Sequence, residues 1–145
     1  MLSLPASWIL WAVLSAFFAA LTAIFAKLGV QSWASEPALF VRTLVVIGFL
    51  LGLMVWKQTW PDWHSLDLRD GVFLLLSGLA TGLSWLCYFY ALQHGPVALV
   101  ATLDKLSVVF IAIFAVFGLG DSLNPWQWAG AGLIAAGAVM VAACA

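Results

Sequence analysis

The stretch that decides the fold is residues 96–117, which read PVALVATLDKLSVVFIAIFAVF. A membrane-spanning helix needs about 20 mostly apolar residues, and this run meets that length with two charges inside it, Asp104 and Lys105. A third charge, Arg42, lies inside a similar run, FVRTLVVIGFLL, at residues 40–51. A charge at the centre of a bilayer costs at least about 2.5–3.5 kcal/mol. Three such charges therefore indicate a polar pathway, a binding site or mutual pairing.

The composition of the whole chain indicates an integral membrane protein. Of its 145 residues, 66% are hydrophobic and 8% are charged, whereas soluble domains have roughly 45–50% apolar and about 25% charged residues. The net charge of -1 gives no indication of a nucleic-acid partner. The two cysteines are too few for a disulfide framework or a metal site.

Five segments are long and apolar enough to span a bilayer, and they predict an all-α membrane protein with a single five-helix domain over residues 1–145. The predicted spans are about 6–28, 36–56, 71–92, 97–119 and 125–144, with Asn124 as the N-cap of the last. The first run has no Lys or Arg before it and is long, so it is interpreted as a span and not as a cleaved signal peptide. The connecting loops leave no room for a soluble catalytic domain. No metal, phosphate-loop or nucleophile–base motif is present, so no enzymatic activity and no cofactor are predicted.

An odd number of spans places the two termini on opposite faces of the membrane, as in one half of an inverted-repeat transporter. Lys and Arg are about equally divided between the two faces, so they give almost no preferred orientation. We therefore expect the chain to pair with an oppositely inserted copy or with a heteromeric partner. Small residues four apart, such as Gly78 and Gly82 or Gly132 and Ala136, offer faces for close helix packing.

Depth places Arg42 and Asp104 at the same level, about 9–11 Å from the same end of their spans. We predict that they pair across helices, with Thr43 and Ser107 adding hydrogen-bonding capacity. Lys105 is adjacent to Asp104 and points elsewhere on a regular helix, so we expect it to share a face with Thr102 and to meet an anionic substrate group or a partner chain. Two interpretations of the predicted Arg42–Asp104 pair are possible. Either it lines a polar vestibule of the transport path, or it only holds the two helices together.

Two further features belong to the predicted substrate pathway. Lys27 lies near the end of the first span and can extend its ammonium to the membrane surface. Trp85 lies inside the third span with Tyr88 nearby, and it either packs against a neighbouring helix or lines a substrate cavity. Asp104 is also a candidate carrier of a coupling proton.

Four groups of residues together resemble an EamA-type repeat of the drug/metabolite transporter superfamily. They are KLG at 27–29, the in-span Arg42, ALQHGPVALVATLDKLSVV at 91–109 and GLGDSL at 118–123. The resemblance covers nearly the whole chain and implies a single-repeat, five-span transporter of small metabolites or drugs. Asp121 stands where the family usually has Glu. Thr102 stands where Pro is common, which predicts a straighter fourth helix.

The last span also resembles the dimerising helix of small multidrug resistance proteins. That family depends on an acidic residue in its first span, and this first span has none, so drug–proton exchange by that mechanism is disfavoured. The prediction is a secondary transporter of a small molecule in the cytoplasmic (inner) membrane, working as an antiparallel homodimer or heteromeric pair. The alternatives are a non-transporting scaffold or subunit of a larger complex, and a translocator of lipid or lipid-linked headgroups.

Overall fold

In the computed structural model, which describes residues 7–31, 33–62 and 66–143, every regular element is helical. The elements are α1 Ser7–Gly29, α2 Ser35–Lys57, α3 Leu68–His94, α4 Val97–Asp104, α5 Ser107–Phe114, a π-helix Ala115–Leu119 and α6 Pro125–Ala143. Because α4, α5 and the π-helix follow one another within a single apolar stretch, these elements make five segments long enough to cross a membrane. The predicted all-α, five-span fold is confirmed. The predicted limits at residues 6 and 144 lie outside the described residues.

The chain divides into two compact units. One combines α1 up to Ile24 with the chain from His94 onward, and in it α6 packs against α4 and α5. Its most buried residues include Ala131 and Ala138, seven apart on α6 and hence on one face of that helix. The other unit runs from Phe25 to Gln93 and holds the end of α1, α2 and α3.

Most large apolar side chains in the described part of the chain are exposed. Trp11 is 70% exposed, Phe49 65% and Phe117 83%, and exposed large apolar side chains occur on every one of the five spans. Such a surface is unstable in water but needs no burial in a bilayer, whose hydrocarbon is as apolar as these side chains. The exposed apolar surface is therefore what a membrane-embedded chain is expected to present.

Polar contacts fix the two ends of the turn before α6. Asn124 and Gln127 form a reciprocal capping box: the Gln127 amide donates to Asn124 Oδ1 at 2.9 Å, and the Asn124 amide donates to Gln127 Oε1 at 2.8 Å. This confirms Asn124 as the N-cap of the last span. At the other end of the turn Gly120 has a φ of 75°, a conformation that glycine adopts without strain, and the Asp121 amide donates to the Ala115 carbonyl at 3.0 Å.

The fourth span is not one continuous α-helix. Regular α-helix stops at Asp104 and resumes at Ser107, and between them the backbone tightens into 3₁₀-type bonds that reach back three residues. These bonds join the amides of Lys105, Leu106, Val108 and Val109 to the carbonyls of Thr102, Leu103, Lys105 and Leu106 at 3.0–3.1 Å. The expectation of a straighter fourth helix, drawn from Thr102, concerns the direction of the helix axis and stays a prediction. The interruption lies just beyond Thr102, at the two charged residues.

Candidate functional site

The Arg42 guanidinium of α2 lies over two aromatic rings of α3. Its Cζ is 3.8 Å from the centre of the Trp85 ring and 5.5 Å from that of Phe89. Trp85 and Phe89 are four residues apart and therefore share one face of α3. Tyr88, on the same helix, is close enough for an electrostatic interaction with the guanidinium. The sequence thus builds an aromatic platform on α3 and holds a cation on it.

The platform also fixes the depth of the charge. Trp85 lies nine residues before the end of α3 at His94, which corresponds to about 13 Å along the helix. The guanidinium is nearer to the Trp85 ring than to the Phe89 ring, which is closer to the helix end. Arg42 is half-buried. Its head therefore stays beside the deeper ring and does not extend to the membrane surface.

Stacking on the rings only partly offsets the free energy of placing Arg42 in the membrane. A cation–π contact contributes about 0.5–2 kcal/mol, whereas an arginine at the centre of a span costs at least about 2.5–3.5 kcal/mol. The Cζ-to-centroid distance of 3.8 Å is a stacking distance, and a guanidinium stacked by its flat face keeps its in-plane N–H donors free of the ring. Among the described residues of the Phe25–Gln93 unit, no oxygen accepts a hydrogen bond from these donors and no carboxylate pairs with Arg42. The site is thus a positive, donor-rich edge.

The sequence left two interpretations of Trp85 open, packing against a neighbour or lining a cavity. The contact with Arg42 supplies a neighbour of an unexpected kind, since the ring packs against a cation and not against an apolar side chain. Phe89, which the sequence analysis did not select, completes the platform and is 2% exposed. The feature of the sequence that could have indicated Phe89 is its spacing of four residues from Trp85, which is one helical turn.

Asp104 and Lys105 face each other. Lys105 Nζ lies 3.5 Å from Asp104 Oδ2, and both side chains are exposed, 56% for Lys105 and 43% for Asp104. The prediction that Lys105 points away from Asp104 is therefore wrong, whereas the pairing of Asp104 with Arg42 is not tested by this contact. The prediction for Lys105 considered only the direction in which each side chain leaves the helix, but the four-carbon stem of lysine is flexible enough to bring its ammonium back to the preceding residue.

The hydroxyl groups near these charges are engaged within their own helices. Thr43 Oγ1 donates to the Leu39 carbonyl at 2.8 Å, and Thr102 Oγ1 donates to the Ala98 carbonyl at 2.7 Å. Each bond reaches back four residues, a common arrangement for threonine in a helix. Ser107 is the first residue of α5, directly after the break. Thr43 and Thr102 therefore support the local backbone in the described structure.

Lys27 joins two helix ends. Its Nζ donates to the carbonyl of Leu92 in the last turn of α3, where a cation also interacts favourably with the helix dipole. The next residue, Gln93, donates from Nε2 to the Trp33 carbonyl at 2.7 Å. Leu92 is fully buried, and Val30 is 3% exposed. The Lys27 bond thus joins the ends of α1 and α3, and the Gln93 bond joins the end of α3 to the segment before α2.

The structure therefore brings Arg42 and Trp85 together in one unit and Asp104 and Lys105 together in the other. The predicted pairing of Arg42 with Asp104 is a relation between the two units and stays a prediction. Among the described residues, no group of three or more His, Cys, Asp or Glu side chains is placed to hold a metal ion.

Comparison with known proteins identifies the family. The model of the EamA-like transporter family matches residues 6–143. A protein from Sinorhizobium sp described as an uncharacterized transporter in the cobO 3' region is 49% identical over 136 residues, covering 94% of this chain and 96% of that protein.

Two more distant relatives differ from this chain in length. The pseudopaline exporter CntI of Pseudomonas aeruginosa is 30% identical over 123 residues, which cover 84% of this chain but 41% of the exporter. The probable 4-amino-4-deoxy-L-arabinose-phosphoundecaprenol flippase subunit ArnE of Pectobacterium atrosepticum is 29% identical over 92 residues, covering 60% of this chain and 81% of that subunit. No solved structure matches the chain significantly. The chain belongs to the EamA-like transporter family and is a multi-pass membrane transporter.

Proposed function

We propose that this EamA-family chain is a secondary transporter of a small molecule in the cytoplasmic membrane and that it works as a pair of five-helix units in opposite orientation. The observation that carries the proposal is the break in the fourth span at Asp104 and Lys105. Transporters commonly build their substrate and ion sites at interrupted membrane helices, where irregular backbone lines a cavity. A charged pair at such a break is a functional site by default.

The exposure of the charged pair supports a second unit. Asp104 and Lys105 are about half exposed, although they lie well inside a span of 23 residues from Val97 to Leu119. Leaving a pair of charges against acyl chains is unfavourable, whereas a neighbouring protein unit would shield the pair and enclose a polar path. A paired assembly therefore gives these side chains a suitable environment.

The lengths of the relatives point the same way. An alignment of 123 residues covers 41% of the pseudopaline exporter, so that protein has about 300 residues, roughly twice the 145 of this chain. The flippase relative is described as a subunit. One relative thus has room for a second unit within its own chain, and another is named as part of an assembly. On α6, a Cβ added at Gly132 would meet no heavy atom within 4 Å and Ala136 lies one turn later, so this small-residue face is suited to close packing with a second unit.

The transport proposal is tested by comparing metabolite uptake into vesicles between wild-type protein and Asp104→Asn. We expect the variant to lower the flux of at least one metabolite by about tenfold or more, equivalent to about 1.4 kcal/mol or more of lost transition-state stabilisation. Asp67→Asn is the matched control, because Asp67 lies just before α3 in an exposed loop. Equal metabolite profiles for wild type and Asp104→Asn would favour the non-transporting scaffold.

The orientation of the pair is tested separately with reporters fused to the C-terminus, one active on each side of the membrane. Both reporters should be active if the chain inserts in both directions. Activity of a single reporter would remove the antiparallel homodimer and leave the heteromeric pair. Cross-linking in native membranes, followed by identification of the linked chains, then separates a second copy from a different partner.

A second candidate function is translocation of a lipid-linked headgroup. It is favoured by the exposed charges on the fourth span, which would meet a headgroup in a groove open to lipid, and by the flippase subunit among the relatives. A fluorescent-lipid scrambling or flipping assay in reconstituted vesicles distinguishes the two functions. Headgroup movement that depends on Asp104, without flux of soluble metabolites, would favour translocation.

A further inference from the structure

We propose that Arg42, held on the Trp85–Phe89 platform, is the receptor for the anionic group of the transported substrate, and that this group is an oxyanion, a carboxylate or a phosphate. The inference rests on the transport function proposed above and adds to it the chemical class of the substrate. It uses contacts within the Phe25–Gln93 unit alone.

The geometry of the guanidinium selects the ligand. Its Cζ lies over the Trp85 ring at the stacking distance of 3.8 Å, and a ligand approaches a stacked guanidinium from the edge, where the N–H donors lie. Two parallel N–H donors match the two oxygens of a carboxylate or a phosphate, which arginine binds in a bidentate manner. A cationic ligand would be repelled, and a neutral one would leave the charge uncompensated in the membrane. The donor edge therefore fits an oxyanion.

The environment of Arg42 prepares this edge for a ligand. Among the described residues of the Phe25–Gln93 unit, the donors have no oxygen acceptor and no carboxylate neutralises the charge. The rings hold the guanidinium in place without using its donors, so little side-chain freedom is lost when a ligand binds. Such a preorganised and unfilled donor set is the arrangement expected of a binding residue, whereas a purely structural arginine is expected to have its donors satisfied.

There is also space along α3 for the body of a ligand. Gly82 precedes Trp85 by three residues and Phe89 by seven, so the three lie on one face of the helix. A Cβ added at Gly82, or at Gly78 one turn earlier, would meet no heavy atom within 4 Å. A substrate whose anionic group binds Arg42 can therefore extend along this face, deeper into the membrane.

The test measures anion binding directly by calorimetry on purified protein in dodecyl maltoside, a detergent without phosphate or charge. Benzoate and inorganic phosphate are the soluble probes, and dioctanoyl phosphatidic acid in mixed micelles is the lipid probe. We expect wild type to bind at least one probe and Arg42→Gln to bind it about 10- to 100-fold more weakly, the range for loss of a charge-assisted, two-point contact. Binding of the soluble probes identifies a free oxyanion as the ligand, and preferential binding of phosphatidic acid identifies a lipid headgroup.

Two further variants distinguish loss of the binding contact from loss of folding. Arg42→Lys keeps the positive charge but loses the two parallel N–H donors of the guanidinium, so it should bind with intermediate affinity. Arg69→Gln removes an arginine that lies 5.9 Å from the Phe73 ring at the exposed start of α3, so it should bind like wild type. Equal affinity of wild type and Arg42→Gln, or equal loss in Arg69→Gln, would overturn the proposal, as would wild-type protein that binds none of the probes.

Failure of this inference is separable from failure of the transport function. The Asp104→Asn flux comparison does not depend on Arg42. If flux requires Asp104 but wild type and Arg42→Gln bind anions equally, the oxyanion-receptor proposal is wrong and the transporter proposal stands. If anion binding requires Arg42 but no flux depends on Asp104, the receptor proposal stands and the transporter proposal is contradicted.

Discussion

The Arg42 guanidinium carbon on α2 lies 3.8 Å from the centre of the Trp85 ring on α3. This contact joins the second and third spans through a cation and a ring, without a carboxylate from either helix. It explains how an arginine is kept about 10 Å inside α2, seven residues from its start at Ser35, while its hydrogen-bond donors stay available. The same contact thus contributes to helix packing and prepares a charged edge.

The energetic importance of the contact can be measured with a double-mutant cycle of Arg42→Gln and Trp85→Leu. We expect a coupling energy of about 0.5–2 kcal/mol, because the cation–π interaction is lost in either single variant. The measurement is unfolding by sodium dodecyl sulfate in mixed micelles. Arg69→Gln with Phe73→Leu is the matched cycle, and its coupling should be close to zero because the distance is 5.9 Å and both residues are exposed. Equal coupling in the two cycles would contradict a special role for the Arg42 platform.

Lys27→Met should destabilise the protein by about 1–3 kcal/mol, because the Leu92 carbonyl loses its side-chain donor in a buried turn. Methionine keeps the length and most of the volume of the side chain, so the lost bond dominates the effect. Thermal unfolding of purified protein measures it. Lys57→Met, in the exposed last turn of α2, should cost less than about 1 kcal/mol, the range of a helix-dipole contact. A larger effect at Lys57 would show that charge, and not the bond to Leu92, determines stability.

The sequence was sufficient for the features that depend on local chemistry. Long apolar runs predicted the five spans, and Asn124 followed by Pro125 predicted the start of α6, where the structure adds the reciprocal bond with Gln127. It was not sufficient for contacts between helices. Helices that are apolar on all sides give little periodicity from which to infer which face meets which neighbour, so the stacking of Arg42 on Trp85 was not predicted.

Two other features were missed for different physical reasons. The Lys27 bond uses a backbone carbonyl, and because every residue carries one, the sequence cannot single out Leu92. The orientation of Asp104 and Lys105 was predicted wrongly because only the direction in which each side chain leaves the helix was considered, whereas the long, flexible lysine side chain turns back to the carboxylate. No proline or glycine lies between Thr102 and Ser107 to mark the break.

Gly120→Ala should destabilise the turn before α6 by about 1–2 kcal/mol, because a Cβ is unfavourable at a φ of 75° even though nothing crowds the position. Gly118→Ala is the matched control two residues earlier. Gly118 lies inside the π-helix with ordinary φ and has open space beside it, so alanine there should be neutral or stabilising by up to about 1 kcal/mol. Thermal unfolding measures both variants. A loss of the same size at Gly118 would show that side-chain volume, and not backbone conformation, sets the preference for glycine.

The most direct test of the charged break is to exchange its two residues. Asp104→Lys alone places two ammonium groups side by side, and Lys105→Asp alone places two carboxylates together, so each single variant should lower the amount of folded membrane protein by about tenfold, equivalent to about 1.4 kcal/mol. The double exchange restores an ion pair at 104 and 105 and should recover most of that loss. Metabolite flux should stay low, because a substrate path depends on which charge occupies which position.

The neighbouring charges Arg69 and Asp70 provide the control for this exchange. They too are adjacent and exposed, but they lie in the first turn of α3 at the membrane edge, so their exchange should change folded yield and flux by less than about twofold. Recovery of folded protein in the 104/105 double exchange would show that the two charges stabilise each other, as their 3.5 Å separation indicates. If the double exchange is as poorly folded as the single variants, each charge must have a separate partner. Arg42 would then be the first candidate partner for Asp104, and its N–H donors would be satisfied within the protein and not by a substrate.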